Sequence, residues 1–360
     1  MAIIQKRDPE AAKRVLSDWL GEHLDRAGDV EIHVAGASEA SGFSSDTIIF
    51  DATWTADGAA HRQGFVVRAA PLGEAVFRTY EIEVQHQILT ALQGSSVPVP
   101  RTFWFEGDAS LLGAPFFAME RLDGFVPTDN PPYTMGGFLH DAPLDVQATA
   151  WLAGIDSLVD IAQFDWRGAG LEQLDRRELG AGPGEQLMRW QRDYHAWAAR
   201  KPVASVEHAW RWLEVNQPDD DHLATFSWGD ARLGNLMFDT SGRVRAVLDW
   251  EMARIGNPEF DLAWFLWFDE HFSSGIGLPR LKGFASRADS IARWEARMGR
   301  PAEHLEWYTV LTMVFFAGIM MRVVQSNIAH GANPDEFGPM ETNNPCTQML
   351  AAHFGLAPPA

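Results

Sequence analysis

The sequence has one cysteine, Cys346, so no intramolecular disulfide can staple the chain and no cysteine-clustered zinc site can form. Such usage fits a reducing compartment, and a cytoplasmic location is the expectation. Long apolar runs are also missing. Met1 to Leu20 is interrupted by Lys6, Arg7, Asp8, Glu10, Lys13 and Arg14 and lacks the unbroken apolar stretch of a signal peptide. The longest strongly apolar run, Thr309 to Met321, stops at Arg322, short of the roughly 20 residues a membrane helix needs, and predicts a buried helix instead. Positive charge is in deficit: 29 Lys and Arg stand against 49 Asp and Glu, a formal charge of -20. A nucleic acid or an anionic membrane is therefore not expected as a partner. A cationic small molecule is compatible with that charge, although acidity also serves solubility alone. The twelve histidines include no His-Glu-x-x-His pattern, which leaves a metallohydrolase without support.

What is present is a chain of 360 residues, 46% apolar and 22% charged, long enough for a large core in one large domain or two modest ones. Asp8-Pro9 reads as a helix cap and first turn, followed by Ala12, Val15, Leu16, Trp19 and Leu20 at helical spacing to near Gly28. Three β-rich stretches follow, over 30–35, 47–55 and 64–69. A helical period runs from Glu74 to Gln93, and two further strands are expected over 102–106 and 115–120. Past Gly124 the chain turns rich in proline and glycine, then gives helical patterns at 144–161, 185–197 and 208–215. One hairpin, turning at Ser241-Gly242, interrupts the helical remainder. The order predicts an α+β fold of two lobes, 1–122 with an antiparallel sheet and one main helix and 123–360 mainly helical.

One stretch carries chemistry. In Ser227-Trp228-Gly229-Asp230-Ala231-Arg232-Leu233-Gly234-Asn235 a carboxylate and an amide stand five residues apart, and Asp249-Trp250-Glu251 closes the following strand. A hairpin returns Asp249 beside Asn235, which puts two hard oxygen ligands together, as magnesium (Mg2+) prefers. Asp230 is left to accept a substrate proton or hold a hydroxyl, the arrangement phosphoryl transfer requires. Taken singly, Gly229-Asp230 or Asn235 would be an ordinary turn with Asx hydrogen bonds.

These residues resemble the aminoglycoside phosphotransferase and choline kinase family, within the protein-kinase-like fold, and especially its branch fused or related to acyl-CoA dehydrogenases. Trp228-Gly229-Asp230 to Asn235 matches its H-G-D-x-x-x-x-N loop, Asp249-Trp250-Glu251 its D-W-E, and Ile255 to Ala263 its G-D-P-x-x-D-L-A. Val97 to Pro100 and Gly113 to Glu120 look like its strand entries. The resemblance implies a nucleotide-binding N-terminal lobe, Asp230 as catalytic base, Asn235 and Asp249 as magnesium ligands, and ATP or GTP as phosphoryl donor. It also implies main-chain contacts to the base from Met119, Glu120 and Leu122, a structural role for Asp261, and a small hydroxylated acceptor, with Arg232, Glu251 and residues of the segments Pro127 to Asp141 and Gly182 to Trp197 as acceptor contacts.

Three positions depart from that pattern. The histidine before Gly-Asp is Trp228, whose indole has one donor and more bulk, so altered loop packing is expected rather than inactivity. The phosphate-gripping lysine is replaced by Arg68, which can fork onto phosphate or simply face solvent at a strand end. Its acidic partner falls at Gln85, and Glu81, one turn earlier on the same face, is taken instead. Gly36 to Ser45 lacks the ending of a Walker loop; by position Ser41, Gly42 and Ser44 would cover the phosphates, or the segment is a plain hairpin loop. The rival readings are a nucleotide-binding pseudoenzyme of the same fold and a helical hydrolase or acyl-binding protein that mimics the motif.

Overall fold

The computed structural model describes residues 7–24, 30–34, 46–73, 75–219 and 224–359. The chain divides into two compact units, one comprising 1–90, 100–123 and 326–332 and the other 91–99, 124–325 and 333–360.

In the first unit the helix Pro9–His23 starts as the sequence predicts, with Asp8 accepting the Glu10 amide at 3.0 Å and proline in the first turn. Five antiparallel strands follow: β1 (Glu31–Val34), β2 (Asp46–Ala56), β3 (Ala59–Ala69), β4 (Thr102–Glu106) and β5 (Phe116–Glu120), in the order β1-β2-β3-β5-β4. Period-two alternation puts Phe50 and Ala52 of β2, Phe65, Val67 and Ala69 of β3 and Phe116 and Ala118 of β5 against Leu16, Trp19 and Leu20 of the helix. The Trp19 ring meets Phe116 and Trp104 edge-on, and its indole donates to Glu106 at 2.9 Å.

The helix expected from Glu74 to Gln93 is shorter, Ile82–Ala91. Before it, the Tyr80 hydroxyl accepts the Phe77 amide at 3.1 Å and Val76, not Phe77, is the fully buried apolar residue, so local hydrogen bonding outcompetes another helical turn. Glu74 lies outside the described residues.

The second unit is built from the helices Leu144–Ala162, Pro183–Ala198, Ala204–Val215, Pro258–His271, Arg287–Met298, Leu305–Ala329 and Pro345–His353. Instead of one hairpin it contains two ribbons. β7 (Leu236–Phe238) pairs with β8 (Val244–Val247), as expected, but β6 (Thr225–Ser227) also pairs with β9 (Arg254–Gly256). Three-residue strands far apart in sequence carry neither a period nor a turn signal. Among the described residues, Leu305–Ala329 is the one helix long and apolar enough to cross a membrane, and it is buried within the fold. It runs past Arg322 because that guanidinium is buried, donating to Gln325 at 2.6 Å and lying 4.0 Å from the Trp197 ring centre.

Replacing Trp19 by Ala removes a buried ring and is expected to cost the first unit about 3–5 kcal/mol. Chemical denaturation checks this, and a loss under about 1 kcal/mol would contradict the docking of the first helix.

Candidate active site

The loop between β6 and β7 is fastened from below by one carboxylate. Asp261 sits in the first turn of Pro258–His271 and accepts the Ser227 hydroxyl at 3.0 Å, the Trp228 amide at 2.7 Å and the Gly229 amide at 2.9 Å. Burial pushes its carboxyl up to about 6, and these three donors hold it from rising further. Gly229 has φ 87°, and a Cβ there would run into the Met252 carbonyl, so the turn before Asp230 requires glycine.

Three side chains then fix Asp230. Trp264 donates its indole N–H to Oδ1 at 3.0 Å, and Arg232 Nε lies 3.2 and 3.1 Å from the two oxygens. Asn235 gives Nδ2 to Oδ2 at 2.6 Å and to the Asp230 carbonyl at 3.0 Å. Its amide nitrogen being engaged, Asn235 keeps Oδ1 as an acceptor that no described residue occupies.

The β7–β8 ribbon brings Asp249 back to this loop, with the Leu248 amide on the Asn235 carbonyl at 2.9 Å. Asp249 adopts φ 59°, a left-handed conformation that costs a non-glycine residue about 1–2 kcal/mol. Trp228 braces it: the buried indole donates to the carbonyls of Leu248 at 2.8 Å and Asp249 at 3.1 Å. Trp250 adds a bond from its indole to the Val247 carbonyl at 3.1 Å. Burial works against the charge of Arg232, but the carboxylates of Asp129, Asp230 and Asp249 outweigh it and hold the guanidinium firmly protonated. Three acids around one cation leave an excess of negative charge. An amide oxygen and a carboxylate in that setting suit a hard divalent cation that retains waters.

The other residues singled out from the sequence fall as follows. Arg68 lies on β3, the central strand, between Thr47 and Phe117 and half-buried, not at a solvent-facing edge. Glu81 is exposed just ahead of Ile82–Ala91, while Gln85, one turn on, is buried. Met119 and Glu120 end β5; the Glu120 amide goes to the Arg101 carbonyl at 2.8 Å and the Arg121 amide to Gly64 at 3.1 Å, whereas Leu122 follows the strand, half-buried. Ser41, Gly42 and Ser44 lie outside the described residues. Glu251 is half-buried in the turn after Asp249. Arg232 does not extend as an acceptor contact: it is 7% exposed and ion-paired with Asp129 and Asp230. A guanidinium so near two carboxylates stays with them.

Two residues escaped the sequence reading. Trp264 had a signal, since it stands three residues after Asp261 on the same helix and so faces the same loop. Asp129 had none, because a loop residue about a hundred positions away has no spacing to betray it.

Elsewhere in the second unit a cavity of about 660 Å3 is lined by Trp267, Glu270, Arg287, Glu306, Thr309 and His353 among others, none of them a residue of this centre. A smaller one of about 360 Å3 shares Glu270, Ser274 and Arg287 with it and reaches Asp269, the neighbour of Phe268, whose ring centre lies 5.9 Å from Arg232.

Trp228→Phe keeps the aromatic bulk and deletes the donor, and is expected to lower stability by about 1–2 kcal/mol. Trp228→His, which keeps a ring N–H, should lose less than the phenylalanine variant. Equal thermal midpoints for wild type and Trp228→Phe would refute the brace.

Comparisons with known proteins bear on the family and the fold. The model of the family described as "Phosphotransferase enzyme family" matches residues 40–297. Acyl-CoA dehydrogenase family member 11 of Gallus gallus is 30% identical over 206 residues, covering 56% of this chain and 25% of that protein, so the chain spans about a quarter of this relative's length. Among solved structures, a candidate aminoglycoside phosphotransferase from Ralstonia eutropha superposes with a TM-score of 0.70 at 23% identity, covering 97% of this chain and 98% of its own. The GDP complex of aminoglycoside 2'-phosphotransferase-IIIa does so with a TM-score of 0.58 at 12% identity over 95% of this chain and 99% of its own. At those identities the likeness shows the kinase-like fold, while the family match runs over more than half of the sequence, and on that ground the chain belongs to the phosphotransferase enzyme family.

Proposed function

We propose that this protein transfers the γ-phosphoryl group of ATP, or of GTP, to a hydroxyl of a small molecule in a magnesium-dependent reaction. The observation that carries this reading is the setting of Asp230: one carboxylate held by Trp264, Arg232 and Asn235, next to an amide oxygen and a second carboxylate. Asn235 and Asp249 would hold magnesium, whose chemistry when bound is to neutralise charge on the transferred phosphate. Asp230 accepts the hydrogen bond of the acceptor hydroxyl and takes its proton as the new oxygen–phosphorus bond forms. The bond from the γ-phosphorus to the bridging oxygen breaks, and the nucleoside diphosphate leaves with that electron pair. In-line placement of these groups supplies most of the acceleration.

Other parts of the chain have supporting roles in the reading. Arg68, half-buried on the central strand, is suited to grip phosphate oxygens, with Glu81 in reserve as its acidic partner. In the run from Met119 to Leu122 the Glu120 and Arg121 amides are spent on Arg101 and Gly64, which directs the main-chain contact to the base towards Leu122. The identity of the acceptor is left open by the charge pattern between cationic and neutral alcohols.

The decisive experiment is a phosphate-transfer screen of hydroxylated metabolites and aminoglycosides with magnesium-ATP, run beside thermal shift with magnesium-ATP. Asp230→Asn is expected to retain nucleotide stabilisation and lose turnover by a factor of about 100 or more. Full turnover in that variant would sink the mechanism; stabilisation without turnover in the wild type would identify a pseudoenzyme; no stabilisation would return the hydrolase reading.

A further inference from the structure

Asp129 reaches the centre from a segment that is tied down on both sides. At one end Phe125 and Phe238 of β7 exchange backbone hydrogen bonds at 2.8 Å each. At the other the Tyr133 hydroxyl donates to Asp269 at 3.0 Å and the Thr134 hydroxyl to the Phe272 carbonyl at 2.6 Å. Between these ties Asp129 Oδ2 accepts Arg232 Nη1, and its Oδ1 is buried with no hydrogen-bond partner among the described residues. That oxygen lies over Gly234, where a Cβ would come within 2.7 Å of it and collide with the Arg232 guanidinium as well. The glycine in Arg232-Leu233-Gly234-Asn235 thus leaves room for the ion pair to cross the loop.

We propose that Asp129 is a positioning residue of the phosphotransfer centre: it holds Arg232 so that Arg232 Nε spans both oxygens of Asp230 and sets the plane of that carboxylate. The inference rests on the reading that Asp230 meets the acceptor hydroxyl. A buried guanidinium deprived of one carboxylate does not remain unpaired; it moves onto those still within reach. Without Asp129 those are Asp230 and Asp249, the two groups required for the hydroxyl and the cation. Asp129 therefore acts as the carboxylate that is not needed for chemistry: by engaging Arg232 Nη1 it confines the contact with Asp230 to Nε and keeps the Nη groups from closing over Asp230 and Asp249. Acting through Arg232, it touches neither nucleotide nor acceptor.

The test uses the full chain as wild type, Asp129→Asn, Asp129→Glu, Arg232→Gln and the double variant Asp129→Asn with Arg232→Gln. With magnesium-ATP and an acceptor from the screen, or water as acceptor, Asp129→Asn is expected to lose tenfold or more in kcat while KM for ATP stays within twofold, and Asp129→Glu to recover part of the loss. The double variant should be no slower than Arg232→Gln alone, because removing Asp129 has no further route once Arg232 is gone. A readout without turnover is the NMR resonance of the Trp264 indole N–H, identified with Trp264→Phe, which reports the setting of Asp230 and is expected to shift in Asp129→Asn. Wild-type kcat in folded Asp129→Asn overturns the proposal, and so do losses that multiply in the double variant. If the wild type turns over no nucleotide, the functional reading fails, while an unmoved indole resonance in Asp129→Asn independently removes Asp129 from any part in placing Asp230.

Discussion

The course of the loop between β6 and β7 depends on one buried carboxylate accepting from three consecutive residues. Asp261 takes the Ser227 hydroxyl and the amides of Trp228 and Gly229, so the chain leaving β6 is pinned to the start of Pro258–His271 before it turns. A buried acid is costly unless its lone pairs are filled, and donors at 2.7–3.0 Å fill them here. The pinning also explains Trp264. One helical turn past the clamp, its indole projects to the same loop and reaches Asp230 without any further device. One short helix segment therefore fixes both the backbone before Asp230 and the Asp230 carboxylate itself.

The second constraint is electrostatic. Asp129, Asp230 and Asp249 all bear on Arg232, and a single guanidinium cannot neutralise them. Asn235, with its nitrogen committed and its oxygen not, adds an amide oxygen to this acidic setting, a donor type that a hard cation accepts. The left-handed backbone of Asp249 fits the same picture. Unfavourable by itself, it is held by the Trp228 indole bonding to two successive carbonyls. Trp228, which stands where the resemblance expects a histidine, therefore braces this turn through its indole N–H.

Much of this was legible because the relevant signals are local. The Asp8-Pro9 cap, the alternating strands and the motif from Trp228 to Asn235 each lie within one short window, where spacing alone dictates which side chains meet. Reading failed where a side-chain hydrogen bond or a ring contact overrode the apolar pattern. The Tyr80 hydroxyl claims the Phe77 amide and removes a predicted helical stretch; the Trp197 ring and Gln325 shelter Arg322 and carry a helix beyond its apparent end. The β6–β9 ribbon is too short to show a period, and its partners are joined only through the folded loop between them.

Arg232 shows why a motif residue can be placed correctly and still be misread. Its position two residues after Asp230 suggests a cation reaching for substrate, and nothing in the motif window reveals another carboxylate nearby. That carboxylate comes from Asp129, on a segment whose course is set by Phe238, Asp269 and Phe272 rather than by its own sequence. Once it is present, Coulomb attraction in a poorly solvated site holds the guanidinium inward more strongly than exposure to solvent would reward its release. The side chain that sequence assigns to the acceptor is thus drawn by a long-range contact into the frame around Asp230.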